Sequence, residues 1–333
     1  MEKHICNRRA LRCDKSETKE ISSMTIKTYR VAKHLFQIKM DENAVMWRRM
    51  QEAYHPFEVA NAEFEHGDGR FTVYMDCLSS TSTLNEKLAG WKDEFVFSNR
   101  REVAPGFLEL SVYKSAKGHY FEFTQPGSDD INGYLCLNDD LNRAQLYLRG
   151  SEWQQYLTLN TGLNFCYLLT TASHNTVLAH ASCVRYNGRA YLFLGKSGTG
   201  KSTHSRMWMR TLDGVELMND DHPLIRIEED GAAIAYGSPW SGKTKCYKNV
   251  QAPIGAIVRI SRAPYNKVRR LSVIESYASL MTSCSGMTWE KDLADGRDKT
   301  IQQIIKGVPC WVMECLPDEE AARVCCEVVS GVC

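Results

Sequence analysis

Short stretches in which apolar and polar residues partly alternate fill the chain from residue 24 to about residue 150. Gly, Asn, Asp and Pro separate these stretches, as they separate strands in hairpins. The pattern predicts a β-rich N-terminal domain over residues 24–150, suited to substrate or partner recognition. Its predicted strands are YRVAKHLFQIKM, RFTVYMDCL, EFVFSN, LELSVYKS, HYFEFTQ, GYLCLN and AQLYLRG. Residues 1–23 hold ten charged side chains and little apolar periodicity, which predicts a flexible tail.

The second half of the chain has a different pattern. Residues 151–178 follow the helical period and begin with a capping Ser151, so they predict a helix. VLAHASCVRY and AYLFLG predict two strands joined by an Asn-Gly hairpin turn. Further predicted strands are VELMND, HPLIRIEE, AAIAYGS, APIGAIVRISRA, KVRRLSVI and CWVMECL, and further predicted helices are 274–284, 296–306 and PDEEAARVCCEVV. Consecutive strands without crossover helices predict a mixed, largely antiparallel sheet in an α/β (α+β) domain over residues 151–333.

Composition narrows the class of protein. With 43% apolar and 24% charged residues, the chain as a whole is not disordered. Lys and Arg total 41 against 40 Asp and Glu, so the net charge of +1 gives no pull toward nucleic acid or an acidic membrane. The 13 cysteines form no CxxC pair or zinc spacing, and no secretory signal or run of 18 apolar residues occurs. These features predict a cytoplasmic protein with free, structural thiols and no nucleic-acid or membrane partner.

One segment matches the phosphate-binding motif G-x-x-x-x-G-K-[ST] in full. It follows an apolar strand that ends at Leu194 and opens a predicted helix over Ser202–Leu212. Its glycines let backbone N–H groups converge on phosphate oxygens, and the helix N-terminus favours negative charge. The lysine of such a loop contacts the β- and γ-phosphates, and the hydroxyl after it ligates Mg²⁺. The motif therefore predicts ATP and Mg²⁺ as cofactors, with the nucleotide held by Gly195, Lys196, Ser197, Gly198, Thr199, Gly200, Lys201, Ser202 and Thr203.

An acidic pair, Asp220-Asp221, ends the apolar strand that follows the predicted helix. In phosphate-loop enzymes this position holds a ligand for the metal or for a water molecule. One carboxylate can bind Mg²⁺ together with Ser202, and we assign Asp220 to that ligand set. The other can accept a proton from an attacking hydroxyl group. The spacing does not decide which aspartate is the base, and a solvated turn is the structural alternative.

Two further side chains are candidates for the same site. His180 lies on the strand before the phosphate-loop strand, from which its side chain can reach the phosphates; the alternative is a structural histidine. Residues 237–270 hold eight Lys and Arg and no acid, in contrast to the seven acids of residues 213–230. The loop SPWSGKTK in this basic stretch is flexible enough to close over a polyphosphate, with Lys243 neutralising charge. A solvated basic surface is the alternative.

The segment LAHASCVRYNGRAYLFLGKSGTGKSTHSRMW, followed by LMNDD, resembles the catalytic domain shared by HPr kinase/phosphorylase and ATP-dependent phosphoenolpyruvate carboxykinase. In both families a histidine stands about fifteen residues before the first glycine of the phosphate loop, as His180 does, and an Asp-Asp pair ends the next strand. YGSPWSGK further resembles a subgroup related to HPr kinase. The resemblance implies that His180 is functional. Members of this class are often oligomers, so it also implies a homo-oligomer.

These features together predict an ATP/Mg-dependent phosphotransferase, a kinase that acts on a hydroxyl group of a small molecule or on a Ser of a peptide or protein. One alternative is a non-catalytic nucleotide-binding module that sets the pose of the N-terminal domain. A carboxykinase is the less favoured alternative, because the chain is too short for that enzyme's C-terminal portion. Thr203 stands where HPr kinases usually have an acid, and their second signature, associated with phosphorolysis, is not found.

Overall fold

The computed structural model describes residues 24–42, 44–65, 70–77, 84–99 and 108–331. The predicted tail, residues 1–23, lies outside them. The strands of the first sheet are β1 (Met24–Val31), β2 (His34–Asp41), β3 (Glu58–Val59), β4 (Phe71–Cys77), β5 (Glu94–Ser98), β6 (Glu109–Ser115), β7 (Gly118–Thr124), β8 (Ile131–Asn138) and β9 (Arg143–Leu148). The strands of the second sheet are β10 (Thr176–Leu178), β11 (Ala181–Tyr186), β12 (Arg189–Leu194), β13 (Glu216–Asp221), β14 (Leu224–Ile227), β15 (Ala233–Tyr236), β16 (Gln251–Arg262), β17 (Lys267–Arg270) and β18 (Cys310–Cys315). The α-helices are α1 (Val45–Tyr54), α2 (Leu84–Leu88), α3 (Glu152–Thr171), α4 (Lys201–Thr211), α5 (Val273–Met281), α6 (Lys291–Gly307) and α7 (Glu319–Ser330).

The first sheet has the strand order β3-β1-β2-β4-β9-β8-β7-β6-β5. Strands β5 to β9 form an antiparallel meander, whereas β4 lies parallel to both β2 and β9. The segment predicted as one long strand, YRVAKHLFQIKM, is instead the hairpin of β1 and β2. Its turn places Ala32 and Lys33 at φ values of 44° and 68°. Such turns favour Asn and Gly, so the sequence lacked the expected turn signal.

Helix α3 packs on the first sheet. Ser151 caps it through a reciprocal pair of bonds with Gln154, which explains its sharp start. Its buried residues, among them Leu163 and Tyr167, share one apolar core with the first sheet. The helix ends at Thr171 rather than at the predicted residue 178, because residues 176–178 pair with β14 as a strand. The predicted domain boundary near residue 150 stays a prediction.

The second sheet is mixed. Strands β11 and β12 form the predicted hairpin, with Asn187 and Gly188 at positive φ in its turn. The predicted strand VLAHASCVRY is divided, because Val177 and Leu178 belong to β10, and His180 lies between β10 and β11 rather than on a strand. Strands β12, β16 and β18 run parallel to one another, and the other pairs of this sheet are antiparallel. The consecutive strands β13, β14 and β15 follow one another without a crossover helix, as predicted. The prediction of a mixed sheet in an α/β protein is therefore confirmed.

Helices cover both faces of the second sheet. On one face, Trp208 of α4 and Cys325 of α7 lie in an apolar core with the strands. On the other face, Leu280 of α5 and Ile301 of α6 lie in a second apolar core. Full burial of a side chain such as Leu280 or Ile301 stabilises the fold by about 1.5–3 kcal/mol. Helix α6 begins at residue 291, five residues before the predicted start at 296.

The ends of several strands lie at one edge of the second sheet. Ala181, at the start of β11, pairs with Leu194 at the end of β12 and with Asp221 at the end of β13. The carboxyl ends of β16 and β18 reach the same edge, because these strands run parallel to β12. We call this edge the loop edge. It brings together the segments that hold the predicted site residues.

The state of the cysteines and the character of the helices relate to the predicted cytoplasmic location. Free thiols in the structure are buried at Cys136, Cys166, Cys183, Cys246, Cys284, Cys310, Cys315 and Cys325. Cys326 is disulfide-bonded, which corrects the expectation of free thiols at that position. Among the described helices, none combines the length and apolar character needed to cross a bilayer. The cytoplasmic location stays a prediction.

Candidate functional site

The glycine-rich loop, residues 195–200, leaves β12 at the loop edge and leads directly into α4. Gly200 is the N-cap residue with a φ of 112°, a backbone conformation that L side chains rarely adopt. The backbone N–H and the hydroxyl of Thr199 donate to the carbonyl oxygen of Lys196, at 3.1 and 2.8 Å, and close a tight turn. The first backbone N–H groups of α4 therefore point out of the helix beside this turn, where an anion is favoured.

Lys201 lies in the first turn of α4, and its side chain turns back over the loop. Its Nζ lies 3.1 Å from the carbonyl oxygen of Gly195 and 2.9 Å from Nε2 of His180. The residue is only 7% exposed. Burial lowers the pKa of Lys201, and the charges of Asp221 and Asp220 oppose that effect. The structure thus brings the predicted phosphate lysine and the predicted histidine into contact.

Ser202 and Asp220, the two predicted metal ligands, are in contact. The Ser202 hydroxyl donates to Oδ1 of Asp220 at 2.8 Å. Mg²⁺ is commonly held by one or two protein oxygens together with phosphates and water, so this oxygen pair fits that ion. Within the described part of the chain, no three His, Cys, Asp or Glu side chains converge as a metal site.

Asp221 adopts an unusual backbone conformation, with a φ of 107°. For a residue with a Cβ atom this conformation is strained, and such strain is concentrated at functional sites. One carboxylate oxygen lies 3.1 Å from Nε2 of His180, and the other lies 3.5 Å from Nδ1 of His222. Burial raises the pKa of Asp221, but the hydrogen bond with His180 and the charges of His222, His180 and Lys201 outweigh it and lower the pKa. Asp221 is thus held as a carboxylate.

The Nε2 atom of His180 has two close neighbours, Lys201 Nζ and Asp221 Oδ1. A ring nitrogen has one hydrogen-bonding position, so it either accepts from the lysine or donates to the aspartate. The contact of Nε2 with Lys201 and its contact with Asp221 therefore exclude each other as hydrogen bonds, so the hydrogen bonding of the lysine and of the aspartate is linked through His180.

The loop that holds Lys243 lies against β13. We call residues 238–248 the strap. The backbone N–H of Gly242 and the hydroxyl of Ser241 both donate to the carbonyl oxygen of Asp220, at 2.7 and 2.9 Å. Lys243 follows directly and is exposed at the loop edge. Its predicted closure over phosphates stays a prediction.

The eight basic residues of the segment 237–270 do not form one phosphate-facing surface. Lys245 pairs with Glu52 of α1, and Arg269 pairs with Glu275 of α5. Arg262, in contrast, reaches the glycine-rich loop and donates to the carbonyl oxygen of Gly198. The basic residues of this segment therefore lie at several separate places in the fold, and only some of them lie at the loop edge.

Sequence reasoning missed three residues of this site. Asn219 is fully buried beside the acidic pair, His222 contacts Asp221, and Arg262 contacts the glycine-rich loop. Burial lowers the pKa of His222, and the attraction of Asp221 opposes this effect. The sequence signal for these residues was only their position along the chain. Asn219 and His222 flank the acidic pair, and Arg262 is the last residue but one of the predicted strand APIGAIVRISRA.

A cavity of about 550 Å³ opens beside the glycine-rich loop. The first two turns of α4 and the residues that follow β16 and β18 form its wall. The lining residues are Thr199, Gly200, Thr203, His204, Met207, Ile260, Arg262, Ala263, Pro264, Cys315, Leu316 and Pro317. Ligand pockets in proteins are commonly this large and, like this one, mostly apolar with a few polar groups.

Comparison with known proteins shows distant structural likeness. No protein-family model and no curated protein matches the sequence. Solved structures that match include the HPr(Ser) kinase/phosphatase from Coxiella burnetii, at 13% sequence identity and a TM-score of 0.27. That match covers 46% of this chain and 94% of the other. A TM-score this low does not establish a shared fold, so we take the function from the residues of this chain.

Proposed function

We propose that the protein is an ATP/Mg-dependent phosphotransferase that acts on a hydroxyl group of a small molecule or on a Ser of a peptide or protein. One observation carries the proposal. At the loop edge, Lys201 of α4 contacts His180, and His180 contacts the strained carboxylate of Asp221. The hydroxyl–carboxylate pair of Ser202 and Asp220 directly adjoins them in the chain. Phosphoryl transfer requires charge neutralisation, a metal ligand and a proton acceptor at one place.

The phosphate side of the site is formed by α4 and the loop before it. The backbone N–H groups of the loop and Nζ of Lys201 bind the β- and γ-phosphates. Ser202 and Asp220 are the groups that would hold Mg²⁺, which supplies positive charge to the phosphate oxygens when bound. Lys243, at the exposed side, neutralises charge that develops on the transferred group.

The acceptor side is formed by Asp221 and His180. The acceptor hydroxyl oxygen attacks the γ-phosphorus, the bond to the β–γ bridging oxygen breaks, and ADP leaves. Asp221 accepts the hydroxyl proton, since its pKa is held low and it is ionised before the reaction. A carboxylate with a low pKa is a weak base, so its main contribution before transfer is to orient the hydroxyl. His180 orients Asp221 in turn.

The cavity beside the loop is suited to the nucleoside part of ATP. It adjoins Gly200 and Thr203, so a phosphate chain on the loop leads straight into it. Its apolar wall matches the faces of a purine ring, and Met207 and Ile260 contribute to that wall.

Nucleotide binding is tested first, by calorimetric titration of the purified protein with ADP and ATP in the presence of Mg²⁺. Lys201→Ala removes a charge-assisted contact, and we expect about 10–100-fold weaker binding. Lys299 is an exposed lysine of α6, so Lys299→Ala is the matched control and should bind the nucleotide as wild type does. Equal affinity in Lys201→Ala and wild type would show that the loop does not bind phosphates.

Transfer is tested with labelled ATP and a cell extract as the source of acceptors. Wild type should label a metabolite or a peptide, and Asp221→Asn should slow that labelling by about 100-fold or more. Asp221→Asn should still bind nucleotide. Binding without any labelled product, together with a cellular role that survives Asp220→Asn and Asp221→Asn, would leave the protein a nucleotide-binding module and reject the kinase.

A further inference from the structure

We propose that Asn219 is a positioning residue that fixes the strap and the turn at Asp221 in one hydrogen-bonded unit. The catalytic part of this inference rests on the proposed phosphotransferase function, whereas the structural part does not. Asn219 lies on β13 directly before the acidic pair and is fully buried. A buried side-chain amide is stable only where its donors and acceptor are satisfied.

The amide oxygen of Asn219 holds the acidic turn. It accepts a hydrogen bond from the backbone N–H of His222 at 2.9 Å. This bond spans Asp220 and Asp221, and so it closes the loop of chain in which Asp221 has a φ of 107°. A strained conformation persists only where the surroundings determine it. The amide oxygen of Asn219 is one such determinant.

The amide nitrogen of Asn219 faces the strap. Its Nδ2 lies 3.0 Å from the carbonyl oxygen of Trp240 and 3.4 Å from that of Cys246. It also lies 3.3 and 3.4 Å from the hydroxyl and carbonyl oxygens of Ser238. An amide has two N–H groups, so these acceptors share them. They come from both ends of the strap, and one side chain therefore ties both ends to β13.

The part of the strap between these ends lies on the acidic pair. Gly242 donates to the backbone of Asp220. A Cβ atom added to Gly242 would lie 2.9 Å from Cβ of Asp221, closer than real Cβ atoms approach. The strap is thus in van der Waals contact with Asp221. Fixing its ends places Gly242 and the adjacent Lys243 relative to the carboxylate.

Asn219→Asp is the sharpest variant for the structural test. As a carboxylate, an aspartate keeps the acceptor for His222 N–H but has no hydrogen to donate to the strap, so the turn is kept and the strap is released. Limited trypsin digestion then reports the strap at Lys243 and Lys245. We expect cleavage there to be about tenfold faster than in wild type, because proteolysis follows the population of the opened segment. Cleavage outside the strap should not change.

Asn138→Asp is the matched control, since Asn138 Oδ1 accepts from the backbone N–H groups of Asn142 and Arg143 and an aspartate preserves both bonds. It should leave strap cleavage at the wild-type rate. If Asn219→Asp fails to fold, Ser238→Ala removes the hydroxyl that lies 3.3 Å from Nδ2 of Asn219 and that also donates to the carbonyl oxygen of His222, and it should give a smaller increase at the same sites. An unchanged strap cleavage rate in a folded variant would reject the proposal.

The catalytic test separates positioning from general damage. Asn219 touches neither the glycine-rich loop nor the cavity, so Asn219→Asp should bind ADP within about twofold of wild type while phosphate transfer falls by about tenfold or more. Parallel losses in binding and transfer would mean a general structural effect and would overturn the positioning role. If wild type itself binds no nucleotide, the proposed function fails, but the trypsin result still decides whether Asn219 holds the strap.

Discussion

The strain at Asp221 gives a test in which glycine and alanine exchange their usual order of stability. At most positions with negative φ, glycine is less stable than alanine by about 0.5–1 kcal/mol, because its unfolded chain has more freedom. Asp221 has a φ of 107°, where a Cβ atom is strained. Replacing it by Gly or by Ala removes the same carboxylate and the same contacts with His180 and His222. The two variants differ in the Cβ atom and in chain freedom.

The expected difference follows from these two effects. Relief of the backbone strain favours Asp221→Gly by about 1–3 kcal/mol. The greater freedom of glycine in the unfolded chain opposes this by about 0.5–1 kcal/mol. Asp221→Gly should therefore be more stable than Asp221→Ala by about 0.5–2 kcal/mol. For a chain of 333 residues, an unfolding entropy of about 0.7 kcal/mol/K turns this into a difference of about 1–3 °C in Tm.

Thermal unfolding of both variants measures the difference, and phosphate transfer is assayed beside it. Both should lose transfer alike, since neither has the carboxylate. Lys299→Gly and Lys299→Ala provide the control pair, because Lys299 is exposed in α6; there alanine should be the more stable by about 1 kcal/mol. If Asp221→Ala is as stable as Asp221→Gly, Asp221 is not strained. If either variant keeps wild-type transfer, Asp221 is not the proton acceptor.

Other predictions concern the metal, the strap and a buried histidine. Ser202→Ala should reduce the gain in ADP affinity on adding Mg²⁺ by about tenfold or more, measured by titration with Mg²⁺ and with EDTA; an unchanged gain removes Ser202 from the metal site. Lys243→Ala should slow phosphate transfer by about tenfold or more, whereas Lys245→Ala should not; equal rates place Lys243 outside the site. Burial lowers the pKa of His204 to about 4. Because the unfolded chain binds this proton below pH ~6.5 and the folded protein only near pH 4, about 3 kcal/mol of the free energy of unfolding is lost as pH falls from ~6.5 toward 4. His204→Gln should flatten urea-unfolding stability across that window, and an equally steep loss in the variant assigns the effect elsewhere.

Local signals were sufficient for the glycine-rich loop and its hairpin. The turn at Asn187 and Gly188 adopts positive φ, as the dipeptide predicts, because few residues other than Asn and Gly tolerate that geometry. The loop after Leu194 is equally local, since its glycines and the following helix are contiguous in sequence. Because β11 pairs with β12, His180, directly before β11, lies beside Lys201. The sequence predicted that its side chain can reach the phosphate region, whereas its functional role was implied by the resemblance alone.

The remaining features depend on contacts between distant segments. Nothing within the strap indicates that it lies on β13, because Asn219 reaches Trp240 and Cys246 across more than twenty residues. The turn at Ala32 and Lys33 carries no turn residues and is set by the pairing of β1 with β2. Helix α1 is a different case. Its buried Met46, Met50, Ala53 and Tyr54 follow the helical period, so its pattern was present in the sequence but was not predicted.

The mixed sheet explains why this site can be assembled from so short a segment. In an all-parallel sheet, the end of one strand and the start of the next lie at opposite edges, so a crossover connection, usually a helix, must join them. Here β11 and β12 are antiparallel, so the start of β11 and the end of β12 meet at the loop edge. Antiparallel pairing with β13 brings Asp221 to the same edge, and the parallel strands β16 and β18 add the cavity wall beside it. The acid side of the site therefore lies on the antiparallel half of the sheet and the apolar cavity on the parallel half. The glycine-rich loop after β12 lies where the two halves meet, which is where a phosphate would have to lie to contact both.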